Sequence, residues 1–291
     1  MKKHFLIVII MVTVIILASC STGTVNPKFT KDSYPRVDGS TATIPLSEDI
    51  AAKLLSMTPE ESKAYIKHNT THNAYVNLID GKADIIFVTE PSVEELELAS
   101  KAGIELEVIP VVKEAFVFLV NKENPVDSIS VKQLQDIYEG KIKNWKELGG
   151  PDKEIIPYQR PENSGSQTIM LNMVMKGLKI MDAPTELKPA EMSGLIEVIA
   201  SYDNSDKAIG YSVYYFANSM YNKETIKFVK LDGFEPNNET IKSDKYPFTS
   251  AYYAVLKKTE PKDSNARKLL AWILSDEGQK LALQSGYVPL R

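Results

Sequence analysis

Short apolar runs alternate with amphipathic stretches along most of this chain, and each pattern predicts an element. Residues 83–88 (ADIIFV) are apolar and rich in branched side chains, as in a strand buried on both faces. In the following Pro91-Ser92-Val93-Glu94-Glu95, Ser92 and Glu95 have capping-box spacing, so a helix is expected to run to about Gly103. Residues 106–112 and 115–120 read as two further strands. Ser130 and Gln133 repeat the capping pattern and open a helix that stops near Gly140. Residues 266–274 and 277–284 predict two last helices, parted by Ser275-Asp276. Such alternation argues for an α/β fold with a mainly parallel sheet, whose ligands bind in loops beyond the carboxyl ends of the strands. A length of 291 residues suits two lobes better than one.

The amino terminus follows another pattern. Lys2 and Lys3 precede an apolar run over residues 5–17, broken only by Thr13. That is short of the ~20 residues a membrane-spanning helix needs, and it reads as a secretory signal over residues 1–19. Leu17-Ala18-Ser19-Cys20 resembles the lipobox of bacterial lipoproteins. The resemblance implies cleavage before Cys20, a diacylglycerol on its sulfur, and a mature chain held outside the cytoplasmic membrane by acyl chains. A signal anchor with an incidental thiol is the plainer alternative. Residues 20–33 are small and polar with one proline and predict a flexible tether.

Composition narrows the chemistry. With 34 Lys plus Arg against 38 Asp plus Glu the net charge is −4, which lacks the basic footprint of a nucleic-acid binder. Cys20 is the one cysteine and the histidines are His4, His68 and His72, so no intramolecular disulfide or thiolate metal cluster can form. His68 and His72 have metal-compatible spacing but no third ligand nearby in sequence, so capping or solvated roles are preferred. Tyr214, Tyr215 and Phe216 read as a buried edge before a stacking platform. The balance favours binding over catalysis, with no cofactor or metal required.

Three strand-to-helix junctions are rich in hydroxyls. The first holds Asp38-Gly39-Ser40-Thr41 and the second Asn69-Thr70-Thr71. The third holds Arg160 followed by Ser164-Gly165-Ser166. Each hydroxyl taken alone is ordinarily a helix cap, and a lone arginine is ordinarily one half of an ion pair. Brought together, they would surround a tetrahedral anion with hydroxyl donors and a planar guanidinium.

The order of five segments resembles the phosphate-binding receptors of ABC importers, the PstS-like family. They are Asp38-Gly39-Ser40-Thr41, Gly81-Lys82-Ala83-Asp84-Ile85, residues 140–150 (GKIKNWKELGG), Arg160 with Ser164-Gly165-Ser166, and Ala208-Ile209-Gly210-Tyr211. The resemblance spans residue 34 to the carboxyl terminus. It implies a two-lobed periplasmic-binding-protein-like fold that closes on inorganic phosphate and delivers it to a membrane permease. The implied lobes are residues 34–120 with 250–291, and residues 121–249. The implied hinge crossings are residues 115–120 and 251–256. The implied ligand residues are Ser40, Thr41, Thr71, Glu90, Arg160, Ser164, Gly165 and Ser166. Thr70-Thr71 replaces a glycine-rich turn of the family, and Thr89-Glu90 stands where the family has Ser-Asp.

A buried carboxylate beside a bound anion is tolerable only with a proton between them, so Glu90 in the site would admit hydrogen phosphate and reject sulfate. The protein is expected to act as a monomer, with phosphate, a permease and the membrane as partners and no nucleic acid. Other readings stay open: a receptor for a different small anion, or a surface anion sensor or adhesin. A phosphoester hydrolase is less favoured, because Ser164 and Ser166 have no histidine partner in the sequence.

Overall fold

The computed structural model describes residues 27–201, 203 and 206–291. The signal-like segment and Cys20 lie outside the described residues. Among the described residues nine strands are assigned: β1 (Val37–Gly39), β2 (Ile85–Val88), β3 (Leu106–Asn121), β4 (Ser128–Ile129), β5 (Ile156–Pro157), β6 (Ala208–Val213), β7 (Ile226–Phe228), β8 (Lys230–Leu231) and β9 (Thr249–Lys257). The main seven-stranded sheet runs β1-β2-β9-β3-β6-β5, with β7 also on β3, while β4 and β8 form a separate pair.

β2 shows why the apolar run at 83–88 becomes a strand. Ile85 and Phe87 join the main core, whereas Ile86 and Val88 face a second cluster with Ala74, Tyr75, Leu78 and Val255. Alternate side chains point to opposite faces, and both faces are covered. Helix α1 (Ile44–Leu55) packs into the main core, α2 (Pro59–Ser62) follows it, and α3 (Thr70–Ile79) covers the second cluster. The expected capping boxes form: Ser92 with Glu95 opens α4 (Val93–Lys101), and Ser130 with Gln133 opens α5 (Val131–Tyr138).

Beyond them lie α6 (Gly165–Ile169), which runs on into a π-helical turn, α7 (Met192–Ala200) and α8 (Asn238–Lys242). The last helices, α9 (Asn265–Ile273) and α10 (Asp276–Gln284), begin at the side-chain caps Ser264 and Ser275.

Three features differ from the sequence expectation. The two strands expected at 106–112 and 115–120 are one 16-residue strand, β3, with a register irregularity between Pro110 and Val112. Lys113 and Glu114, between the two expected strands, continue the ladder: Lys113 reaches Asp244 at 2.7 Å and Glu114 is buried. Parallel pairing is found at β1–β2, β5–β6 and β4–β8, while β3 and β9 pair antiparallel with their neighbours.

This follows from the path of β3, which pairs with β9 as far as Ala115 and with β6 from Phe116 onward. One strand thus passes from one half of the sheet into the other, and β9 returns beside it. Finally, the expected tether is anchored at its inner end. Thr30 and Ser33 hydrogen-bond to each other, Phe29 packs edge-on to Tyr34 at 5.5 Å, and Asn265 donates to the Ser33 carbonyl at 2.7 Å.

Candidate functional site

A cavity of about 430 Å³ lies where the loops after β1, β2 and β5 meet the start of α7. Its first wall is the turn after β1. Gly39 is obligatory there, because a Cβ would stand 2.8 Å from both the Phe87 carbonyl and the Thr43 hydroxyl. The Ser40 amide donates to the Phe87 carbonyl at 3.0 Å, which places Ser40 and Thr41 on the cavity.

Asp38 fixes this turn to the next one. Its buried carboxylate accepts from the Gly39 amide at 2.7 Å, the Asn69 amide at 3.0 Å, and the side-chain amides of Asn69 at 2.8 Å and Asn77 at 2.7 Å. Four donors on two oxygens are a rigid cross-brace between β1 and the start of α3. Nothing in the sequence around Asp38 marks this role, because its donors Asn69 and Asn77 lie 31 and 39 residues further along the chain.

At the start of α3, Thr70 and Thr71 both line the cavity. Thr70 sits at φ +69°, a left-handed conformation that is strained for a β-branched residue. The threonine thus adopts the backbone shape that a glycine would take without cost.

The opposite wall comes from the β5–α6 loop. Ser164 caps α6 by accepting from the Gln167 amide at 3.3 Å, and Gly165 lies directly against the first wall. A Cβ on Gly165 would be 2.6 Å from the hydroxyl oxygens of both Thr71 and Thr89. The two walls therefore touch at this glycine.

Arg160 projects from the same loop and is 7% exposed. Its Nε donates to the Pro189 carbonyl at 2.9 Å, Nη2 to the Ala190 carbonyl at 2.8 Å, and Nη1 to the Ser166 hydroxyl at 3.3 Å. Among the described residues, no carboxylate comes within ion-pair distance of it. Burial pulls its pKa below the ordinary arginine value, and the milder influences of Tyr211 and Glu191 oppose that shift. An arginine remains charged even so. The cavity therefore contains a buried cation held only by neutral acceptors.

The structure brings Ser40, Thr41, Thr71, Arg160, Ser164, Gly165 and Ser166 around this one cavity, and it does not bring Glu90 there. Thr89 lines the cavity in its place, with a buried hydroxyl that lacks a hydrogen-bond partner. Glu90, half-buried just beyond the end of β2, is not among the residues that line the cavity. The phenols of Tyr75 and Tyr253, both in the second cluster, are raised above their ordinary values by burial first and by carboxylates that include Glu90.

No signal in the sequence pointed to Glu191 and Ser193 at the start of α7 or to Tyr252, which complete the lining with Phe216, a residue read above as part of a buried edge. The two histidines separate. His72 meets Glu95 at 3.3 Å, while His68 lies behind Gly39 with its pKa lowered by burial to about 4. Tyr215 stacks on Tyr287 at 3.7 Å inside the core.

Comparison with known proteins agrees with this architecture. The family model described as PBP superfamily domain matches residues 27–277. The chain is 25% identical over 300 residues to the phosphate-binding protein PstS of Bacillus subtilis, covering 100% of this chain and 95% of that one. It is likewise 25% identical over 289 residues to PstS of Staphylococcus saprophyticus, with coverage of 95% and 86%. The solved structure of an ABC-type phosphate transport receptor from Vibrio cholerae shares the fold at a TM-score of 0.65, 21% identity, and coverage of 90% and 99%. With a family match over most of its length and this two-walled cavity, the chain belongs to the PBP superfamily and is PstS-like.

Proposed function

We propose that this protein captures inorganic phosphate between two lobes outside the cytoplasmic membrane and hands it to the permease of an ABC importer. The observation that carries the reading is Arg160, a buried guanidinium with no carboxylate partner among the described residues, facing hydroxyls from both walls. A buried cation is costly until an anion arrives, so the empty site is built to gain from binding one. Ser40, Thr41, Thr71, Ser164 and Ser166 supply the surrounding hydroxyls, and Gly165 supplies a close backbone approach.

The proposed lobes are residues 34–120 with 250–291, and residues 121–249. The handover of β3 from β9 to β6 after Ala115 supports a hinge there. Relatives named as phosphate-binding proteins support phosphate as the ligand. Binding and release need no covalent chemistry, which fits a receptor rather than an enzyme.

Among the described residues no helix is long and apolar enough to cross a membrane. Attachment through an acylated Cys20 follows from the lipobox-like sequence alone.

Calorimetric titration of ligand-stripped protein with phosphate tests the reading. Saturable one-to-one binding is expected, and no heat from a folded sample would remove phosphate as the ligand. Gly165→Ala should weaken that binding about tenfold, because its methyl would force apart walls that now touch. Unchanged affinity in this variant would mean that closure does not depend on the approach at Gly165.

A further inference from the structure

Thr70 stands in the cavity wall at φ +69°, a conformation that strains a β-branched residue. Strain of this kind persists only where the surroundings over-determine it. Here the preceding residue is clamped. Asn69 donates its backbone amide to Asp38 Oδ1 at 3.0 Å and its side-chain amide to Oδ2 at 2.8 Å. Oδ1 also accepts from the Gly39 amide, and Oδ2 from Asn77, about two turns further along α3. Asn69 holds the N-cap position of α3, where an asparagine side chain ordinarily accepts from the first amides of the helix, yet it makes no such bond. Its side chain is committed to Asp38 instead.

We infer that Asp38 is a positioning residue of the anion site: its carboxylate holds Thr70 in the left-handed turn that a glycine would adopt freely, and so shapes that wall before the ligand arrives. The inference rests on the oxyanion-receptor reading above. Asp38 is not part of the lining; it faces a separate cavity of about 590 Å³ together with Asn69 and Asn77, and so acts through Asn69 and Thr70. Without the clamp, Thr70 is free to relax out of the left-handed region, carrying Thr71 with it. Affinity then falls with the fraction of molecules that still hold the competent turn. Asparagine at this position would offer one acceptor oxygen and turn two donors towards the amides it faces, so it cannot keep the brace.

The test is a double-mutant cycle, read by calorimetric titration with phosphate on the full chain in detergent micelles, stripped of bound anion. Asp38→Asn is expected to bind phosphate at least about tenfold more weakly than the parent, and adding Thr70→Gly should recover at least about fivefold. Thr70→Ala in the same background removes the hydroxyl but keeps the Cβ, and should recover nothing. Thr70→Gly in the parent, where the turn is already held, should bring no gain. A residue that serves stability alone would not give this glycine-specific recovery. Where Asp38→Asn fails to fold, Asn69→Ala carries the same cycle, with a loss of at least about threefold and the same recovery. Unchanged affinity in the variant used overturns the inference. So does a loss that Thr70→Gly does not recover, that Thr70→Ala recovers equally, or a matching gain from Thr70→Gly in the parent. In each of these cases phosphate binding by the parent leaves the receptor reading standing. Silence of the folded parent towards phosphate overturns that reading and this inference with it.

Discussion

Arg160→Met protein is expected to fold normally and to bind phosphate at least about 100-fold more weakly than the parent. Removing one partner of a buried, charge-assisted contact costs about 2–5 kcal/mol of binding, the range that a 100-fold loss falls within. Stability should respond differently. In the empty protein the guanidinium is buried without a carboxylate, so its removal relieves a desolvation cost while leaving the Pro189 and Ala190 carbonyls without their donor. These effects oppose each other, and a net change within about 1 kcal/mol is expected.

Arg160→Lys should fall between the two. An ammonium keeps the charge but cannot span two carbonyls and a hydroxyl with one planar fork. Phosphate titration and thermal unfolding of the three proteins check this. A loss of affinity below tenfold in the methionine variant would remove Arg160 from the site. A parallel collapse of stability would make it a structural residue.

The legible parts of this fold are those set by local rules. Ser92 with Glu95, Ser130 with Gln133, and Ser275 ahead of α10 each announce a helix within four residues of chain. The β3 strand was not legible, because Lys113-Glu114 carries two charges whose burial and pairing depend on distant segments. Within the site, the hydroxyl loops and Arg160 could be named because each sits in a recognisable turn.

That Thr89 and not Glu90 lines the cavity could not be named, for a specific reason. A strand with alternating polar and apolar positions reveals which face each residue takes, but residues 85–88 are all buried, so the run has no parity to read. The start of α7 and Tyr252 were invisible for a different reason, since only the tertiary fold brings them to the cavity.

The same limit applies to Glu114, which looks like a surface residue and is expected to add a pH-dependent contribution to stability. Its carboxylate is 2% exposed. It accepts from its neighbour Ala115's amide at 2.8 Å and from the Tyr215 amide at 3.2 Å, at the point where β3 leaves β9 for β6. The groups around it are the phenols of Tyr214, Tyr215, Tyr252 and Tyr287, all pushed above their ordinary values mainly by burial, so none offers it a positive charge or ionises near neutrality. Burial raises Glu114 from 4.5 to about 7, against the opposing pull of the hydrogen bonds it accepts.

Below pH 4.5 the carboxyl is protonated in folded and unfolded chains alike. Between there and pH 7 the unfolded chain releases the proton while the folded one retains it, so stability falls as pH rises through this window and levels off above it. The contribution lost is about 3 kcal/mol. Glu114→Gln keeps a neutral acceptor and removes the titration. Its unfolding free energy relative to the parent should therefore rise by about that amount from pH 4.5 to pH 8. Denaturant unfolding of both proteins across this range makes the comparison, and taking the difference cancels the carboxylates they share, such as Asp84, which Arg36 pulls the other way. If the difference stays flat with pH, Glu114 is ionised in the folded protein, stabilised by the backbone amides at the crossing of the two halves.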